Sequence, residues 1–163
     1  MNITFEEMTE AYLEEARSIY NYYVLNSTAT FQIHESSPDE MRELVFFTNP
    51  RYRTYVIKAA DIVCGYVLLT QFKKREAYDR AAEVTIYLKQ GYTGQGIGRY
   101  AVEMIEAYAV AQNVHVLIAS ICGENTGSIR LFESCGFDKC AHFREVGEKF
   151  GRRLDVVYYQ KIL

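Results

Sequence analysis

A run of alternating glycines, Thr93-Gly94-Gln95-Gly96-Ile97-Gly98-Arg99, lies between a strand pattern and an amphipathic helix pattern. It is the local sequence best suited to chemistry. Glycines let a backbone approach a ligand closely and take positive φ. The helix that follows opens with unpaired N–H groups, and its dipole favours an anion, so a diphosphate suits the place. Three ligand classes use such a turn. A phosphate-binding P-loop needs Gly-Lys-Ser/Thr at the helix start, whereas Gly98 is followed by Arg99-Tyr100. A dinucleotide fold expects the turn after its first strand, with an acid about 20 residues further on. Here several strand patterns come first, and Val114–Ile121 offers no acid. A coenzyme A site needs the turn after a central strand, which is where this one lies. A glycine-rich surface loop without a ligand is the bland alternative.

The strand before the turn, Ala82–Leu88, alternates. Glu83, Thr85 and Tyr87 share one face, and Val84, Ile86 and Leu88 share the other. A carboxylate at Glu83 can take a proton, directly or through water, if burial raises its pKa. A structural or solvated strand glutamate is the other reading. Arg75 offers a fork of donors suited to a carboxylate, although Lys73-Lys74-Arg75 also reads as a short solvated basic run.

The elements that must position these groups follow from periodicity. A first strand is predicted at Ile3–Glu6, then a helix capped by Thr9 with Tyr12, Ala16, Ile19, Tyr20 and Tyr23 on one stripe. Ser27–His34 reads as a loop. Ser37-Pro38-Asp39-Glu40 opens a second helix, with proline near its first position and acids in its first turn. Tyr55–Ala59 and Ile62–Thr70 read as a hairpin joined near Asp61. After the glycine turn, Ile97, Ala101, Met104, Ile105 and Tyr108 make a helical stripe. Val114–Ile121 reads as a buried strand and Asn125–Cys135 as a short helix. Strands around Lys139–Val146 and Leu154–Ile162 close the chain across Lys149-Phe150-Gly151. The sum is an α/β fold with a mixed sheet: antiparallel hairpins first, then one crossover helix between parallel strands.

Composition excludes several classes. The chain has 163 residues, 49% of them hydrophobic and 24% charged, an ordinary globular balance that predicts one domain over 1–163. With 18 basic against 21 acidic side chains the net charge is −3, which argues against nucleic acid as a partner. No apolar run approaches the roughly 18 residues of a membrane span, and the acidic start is unlike a signal peptide, so a soluble, cytoplasmic protein is expected. Cys64, Cys122, Cys135 and Cys140 form no CxxC pair, and His34, His115 and His142 are scattered. No metal site is expected, and the cysteines read as buried free thiols. Tyr20, Tyr22, Tyr23, Tyr158 and Tyr159 read as core-edge residues or as a subunit interface, where tyrosine is favoured.

At these residues the chain resembles the GNAT acetyltransferases. Thr93–Gly98 is similar to their Q/R-x-x-G-x-G/A pyrophosphate loop, with Thr93 in place of Gln or Arg. Asn125–Phe137 is similar to their N-x-x-(A/S)-I-x-L-(Y/F)-E-x-x-G-F element. A narrower resemblance to the phosphinothricin N-acetyltransferases is carried by Ile19–Tyr23 with Ser27–Phe31, by Arg75–Tyr78, by Glu83 and by Val146–Val156, so it covers nearly the whole chain.

The resemblance implies the GNAT acyl-CoA N-acyltransferase fold, a mixed seven-stranded sheet flanked by about four helices. It implies transfer of acetyl from acetyl-CoA to the amine of a small amino acid or analogue: phosphinothricin, methionine sulfone or methionine sulfoximine. Glu83 is then the general base. Gly94, Gln95, Gly96, Ile97, Gly98, Arg99 and Tyr100 hold the pyrophosphate through backbone N–H groups. Tyr87, Leu88 and Lys89 pair with the pantetheine amides, the Leu88 N–H being the oxyanion donor, and Asn125 and Ser128 reach the cofactor from the next helix. Phe31, Arg75 and Tyr78 line the acceptor pocket, and a homodimer is expected. Two positions depart from the pattern. Phe132 stands where many relatives carry Tyr and some His, so the proton donor to the leaving thiolate is unassigned, with water or Tyr87 as candidates. Phe150 stands where some relatives carry His. The alternatives are acetylation of another amine, such as a polyamine or a protein N-terminus, and a non-catalytic acyl-CoA sensor.

Overall fold

The computed structural model covers residues 1–163. Strand β1 (Ile3–Glu7) leads through a 3-10 turn at Glu10–Tyr12 into α1 (Leu13–Asn26). The sequence placed an N-cap at Thr9. The Thr9 side chain makes no capping bond, and Tyr12 N–H donates to the Thr9 carbonyl at 3.0 Å, so the first turn is tighter than α-helical. α2 (Pro38–Val45) starts as its sequence predicts: the Ser37 hydroxyl accepts from Glu40 N–H, and the Glu40 carboxylate accepts from Ser37 N–H.

Strands β2 (Arg53–Ala59), β3 (Ile62–Gln71) and β4 (Ala81–Leu88) form an antiparallel meander, with a 3-10 turn at Glu76–Tyr78 before β4. α3 (Ile97–Ala111) crosses over to β5 (Val116–Cys122), which runs parallel to β4. α4 (Thr126–Ser134) precedes the final hairpin, β6 (Asp138–Lys149) and β7 (Arg152–Ile162). The seven strands lie in the order β1-β2-β3-β4-β5-β7-β6, with β7 inserted between β5 and β6. The mixed seven-stranded sheet and four helices agree with the architecture the resemblance implied.

Alternation along the strands builds two cores. Val67 and Leu69 of β3, Ala82 and Val84 of β4 and Leu117 and Ala119 of β5 face α3, whose Ile97, Ala101, Val102 and Ile105 are buried against them. Tyr66 and Leu68 of β3 point the other way, onto α1 and α2, with Ile19, Val24, Met41 and Val45. This explains why β3 reads as an unbroken apolar run: both of its faces are covered.

The hairpin departs from its sequence reading. β6 runs to Lys149 rather than Val146, and its pairing with β7 shifts between Lys139 and Ala141 and again between Phe143 and Gly147. Each shift inserts unpaired residues, which erases the alternation by which a strand is recognised. The cysteines are also less uniform than expected. Cys64 and Cys122 are buried, but Cys135 is half-buried and Cys140 is exposed, because it sits on the outer strand beside a register shift. Tyr20 and Tyr159 lie in the two cores, so they are unavailable to an interface.

Candidate active site

Between β4 and β5 the sheet opens. Their pairing comprises only Ala81↔Val116, Ala82↔Leu117 and Glu83↔Ile118. Beyond Glu83, β4 stays with β3 while β5 stays with β7. Lys89 N–H donates to the Cys64 carbonyl at 2.7 Å, so Lys89 is a hydrogen-bonded position of the antiparallel ladder. By alternation, the amides of Leu88 and Ile86 face away from β3, toward the side β5 has left. The Leu88 carbonyl on that side accepts a hydrogen bond from the Tyr23 hydroxyl. The Leu88 amide named from the sequence is thus free for a ligand. So is Ile86, which the sequence reading passed over because strand alternation shows side chains and not amides.

The opening is a cleft of about 290 Å³ that passes through the sheet. Phe31, Glu83 and Tyr87 line it from the α1 side, while Asn125, Ser128 and Phe132 line it from the α4 side. Two molecules entering from opposite faces would meet at β4. Glu83 is mostly covered, and burial alone pushes its carboxyl above the usual glutamate range. Burial therefore disfavours the charged form and makes the carboxylate a stronger base than an exposed glutamate.

Tyr87 sits within a tyrosine cluster, its ring 5.4 Å from those of Tyr20 and Tyr23 and 5.6 Å from Tyr66. Burial raises its hydroxyl pKa well above the ordinary value, so it stays protonated. Phe132 is buried edge-on against Phe137 and presents no donor to the cleft.

The glycine turn lies at the end of β4 nearest Leu88. Gly94 and Gly96 take positive φ, 72° and 82°, and a Cβ on either would meet nothing within 4 Å. Gly96 caps α3 without any side-chain acceptor, so the first amides of a 15-residue helix face an open approach. Gln95 Nε2 donates to the Gly91 carbonyl at 2.6 Å and closes the turn on itself. Ile97 and Gly98 contribute amides only: the Ile97 side chain is in the core, and a Cβ on Gly98 would come 2.8 Å from Leu131 of α4. Arg99 pairs with Glu103, while Tyr100 and Lys89 are exposed beside the turn. This cradle fits a diphosphate bound by main-chain N–H groups.

Asn125 caps α4, its Oδ1 accepting from Ser128 N–H at 3.2 Å, so both residues serve the helix as well as the cleft wall. Arg75 and Tyr78 lie elsewhere, on the exposed turn between β3 and β4. Tyr78 packs edge-on against Phe72, and neither residue lines the cleft. The turn adjoins the Glu83 end of β4, since Gln71↔Ala82 and Thr70↔Glu83 are the last pairs before it.

Several wall residues carry no motif and were not singled out from sequence. Thr85 of β4 and Ser120 of β5 both line the opening. The Ala29–Phe31 wall belongs to the loop after α1, which is tied at many points. Thr28 donates to Glu124 at 2.7 Å, and Arg152 binds the same carboxylate through two nitrogens at 2.8 and 2.9 Å. These bonds, Arg152 foremost, lower the Glu124 pKa to about 2. Tyr20 bonds Thr30 at 3.0 Å.

Residues 6–158 match the acetyltransferase (GNAT) domain family. The L-methionine sulfoximine/L-methionine sulfone acetyltransferase of Pseudomonas aeruginosa is 30% identical over 165 residues, covering 98% of this chain and 94% of that protein. A GNAT superfamily phosphinothricin acetyltransferase from Sinorhizobium meliloti, solved in complex with AcCoA, superposes with a TM-score of 0.94 at 30% identity, over 100% of this chain and 89% of that one. The ribosomal-protein-alanine N-acetyltransferase of Brucella melitensis superposes with a TM-score of 0.90 at 32% identity, over 98% and 99% of the two chains.

Proposed function

The chain belongs to the GNAT acetyltransferases, N-acetyltransferases with acetyl-CoA as co-substrate, and from that premise we propose that its acceptor is the α-amine of a small amino acid or analogue of the phosphinothricin or methionine sulfoximine type. The observation that carries this reading is the cleft through the sheet, with a half-buried carboxylate on one side and the glycine cradle beyond its other end. Acetyl-CoA supplies an acetyl group activated as a thioester. The chain does the rest. Amides from Gly94 to Tyr100 hold the diphosphate, and Asn125 and Ser128 border the path of the pantetheine arm. The free amides of Ile86 and Leu88 donate to the pantetheine and to the developing oxyanion. Glu83 takes the proton of the incoming amine, and Tyr87 is the protein group that retains a proton to return.

Arg75 is proposed to hold the acceptor carboxylate, with Phe31 and Tyr78 beside the acceptor side chain. The guanidinium forms no ion pair within the chain, and its turn adjoins the Glu83 end of β4. Arg75→Ala is expected to raise KM for the amino-acid acceptor roughly 10–150-fold, the worth of hydrogen bonds to a charged group. KM for acetyl-CoA should not change, and neither should KM for the decarboxylated analogue of the same acceptor. An equal effect on both acceptors would remove the carboxylate from the account.

A second reading is acetylation of a protein N-terminus, favoured by the Brucella neighbour named for ribosomal-protein alanine. It requires no carboxylate beside the amine, so Arg75→Ala would leave it intact. The homodimer is part of the proposal as well. Neither α1 nor α2 extends over the β5-β7-β6 half of the sheet, and the hairpin exposes Phe143, Val146 and Phe150. Sedimentation at twice the chain mass is expected; a monomer at micromolar concentration would contradict it.

A further inference from the structure

The wall of the cleft that carries Phe31 has no secondary structure of its own between the end of α1 and Ser37. Of the bonds that tie it, two come from the hairpin, about 120 residues away in sequence. Lys149, only 3% exposed, donates from Nζ to the Ser27 carbonyl at 2.7 Å and to the Thr30 carbonyl at 2.8 Å. It forms no ion pair with any carboxylate, and burial lowers its pKa. The ammonium also lies over the Phe150 ring, 5.1 Å from its centroid. With no carboxylate beside it, such a buried charge is costly to desolvate, and removing either side of its carbonyl contacts leaves polar groups unpaired.

Two residues earlier on β6, Gly147 meets the Phe31 ring. A Cβ there would lie 2.3 Å from Phe31 Cε2 and 2.7 Å from Cδ2. Gly147 does not take positive φ, so its backbone makes no demand for glycine. The ring makes that demand. Pairing of β6 with β7 resumes at Gly147 after the register shift from Phe143, and this part of β6 lies against the loop.

We propose that Gly147 and Lys149 set the shape of the acceptor side of the cleft, Gly147 by fixing how deeply the Phe31 ring is seated and Lys149 by fixing the loop that carries it. They are positioning residues and determine which amine side chains fit beside Phe31. The inference rests on the functional reading above, in which the amine enters past Phe31.

Gly147→Ala is expected to displace the ring and change acceptor KM roughly 10–100-fold, as about 1 Å of misplacement does at other sites. KM for acetyl-CoA should stay the same, and the order of preference among acceptors of different side-chain length should change. In a Phe31→Ala background the added Gly147→Ala should have no further effect, because the contact it disrupts is gone. Lys149→Met should give the same split between the two KM values and, with no substrate present, faster amide hydrogen exchange across residues 27–32. Effects of Gly147→Ala and Phe31→Ala that simply multiply would overturn the inference. So would equal losses in both KM values, or unchanged exchange in Lys149→Met. If the wild-type enzyme acetylates no small amine, the functional reading fails instead, and exchange in Lys149→Met still decides whether Lys149 holds the loop.

Discussion

Glu83→Gln is expected to lower kcat/KM by roughly 10²–10⁴-fold, the range for loss of a general base. Gln keeps the shape and the strand but cannot take a proton. Acetyl-CoA should bind as before, because the glycine cradle lies at the opposite end of β4. In the wild-type enzyme the rate should fall as pH drops through the Glu83 pKa, at a pH above the ordinary glutamate range, since burial raises it. The substituted enzyme should lack that limb of the profile. Stability should move the other way. A carboxyl whose folded pKa is raised is neutral in both states at low pH and costs nothing there. Above its folded pKa it is charged while buried, and stability is lost. Glu83→Gln should therefore melt at a higher temperature than wild type at neutral pH, and the difference should vanish near pH 4. A variant that keeps full activity, or that is destabilised at neutral pH, would make Glu83 a structural strand residue.

Ile105→Ala should cost about 2–5 kcal/mol, the usual penalty for emptying a fully buried aliphatic site. Ile105 lies in the middle of α3 with no exposed surface, on the stripe that packs across the sheet. For a chain of this size the melting temperature should fall by roughly 4–20 °C. Kinetic constants well below the melting range should stay within about threefold, less than half of the 1.4 kcal/mol that a factor of ten represents. The reason is geometric. The glycine turn is anchored locally by Gln95 on Gly91 and by the close packing of Gly98 on Leu131. A fall of less than about 2 °C would mean that the core relaxes into the space.

The parts of the site legible in the sequence share a property: their signal is local. The glycine turn, the alternation of Glu83, Thr85 and Tyr87, and the Ser37 cap each lie within a few residues. The chain order of these elements also led to the α/β architecture. What could not be read depends on residues far apart in sequence. In the sequence Lys149 is only the first residue of a closing turn, Lys149-Phe150-Gly151, yet it is buried against Ser27 and Thr30. The free Ile86 amide exists only because β5 leaves β4 after Ile118, and no residue announces that divergence. The tyrosines mislead in the opposite sense. Tyr20 and Tyr159 are amphipathic enough for an interface, but each reaches a polar partner inside the chain, Tyr20 at Thr30 and Tyr159 at Glu133. Arg75 and Tyr78 were grouped with Phe31 by resemblance, and the chain sets them on a turn outside the cleft wall.

The most direct test of the account is acetyl-CoA-dependent mass gain on a mixed panel of amines: phosphinothricin, methionine sulfone, methionine sulfoximine, spermidine and a short peptide. Mass detection is preferred to a thiol dye because the half-buried Cys135 and exposed Cys140 would react with the dye. The account expects one acetyl group on the amino-acid analogues, none on spermidine or the peptide, and loss of the gain in Glu83→Gln. Acetylation of spermidine or the peptide alone would contradict the proposed acceptor, and acetyl-CoA binding with no mass gain on any amine would contradict the proposed acetyl transfer to a small amino acid.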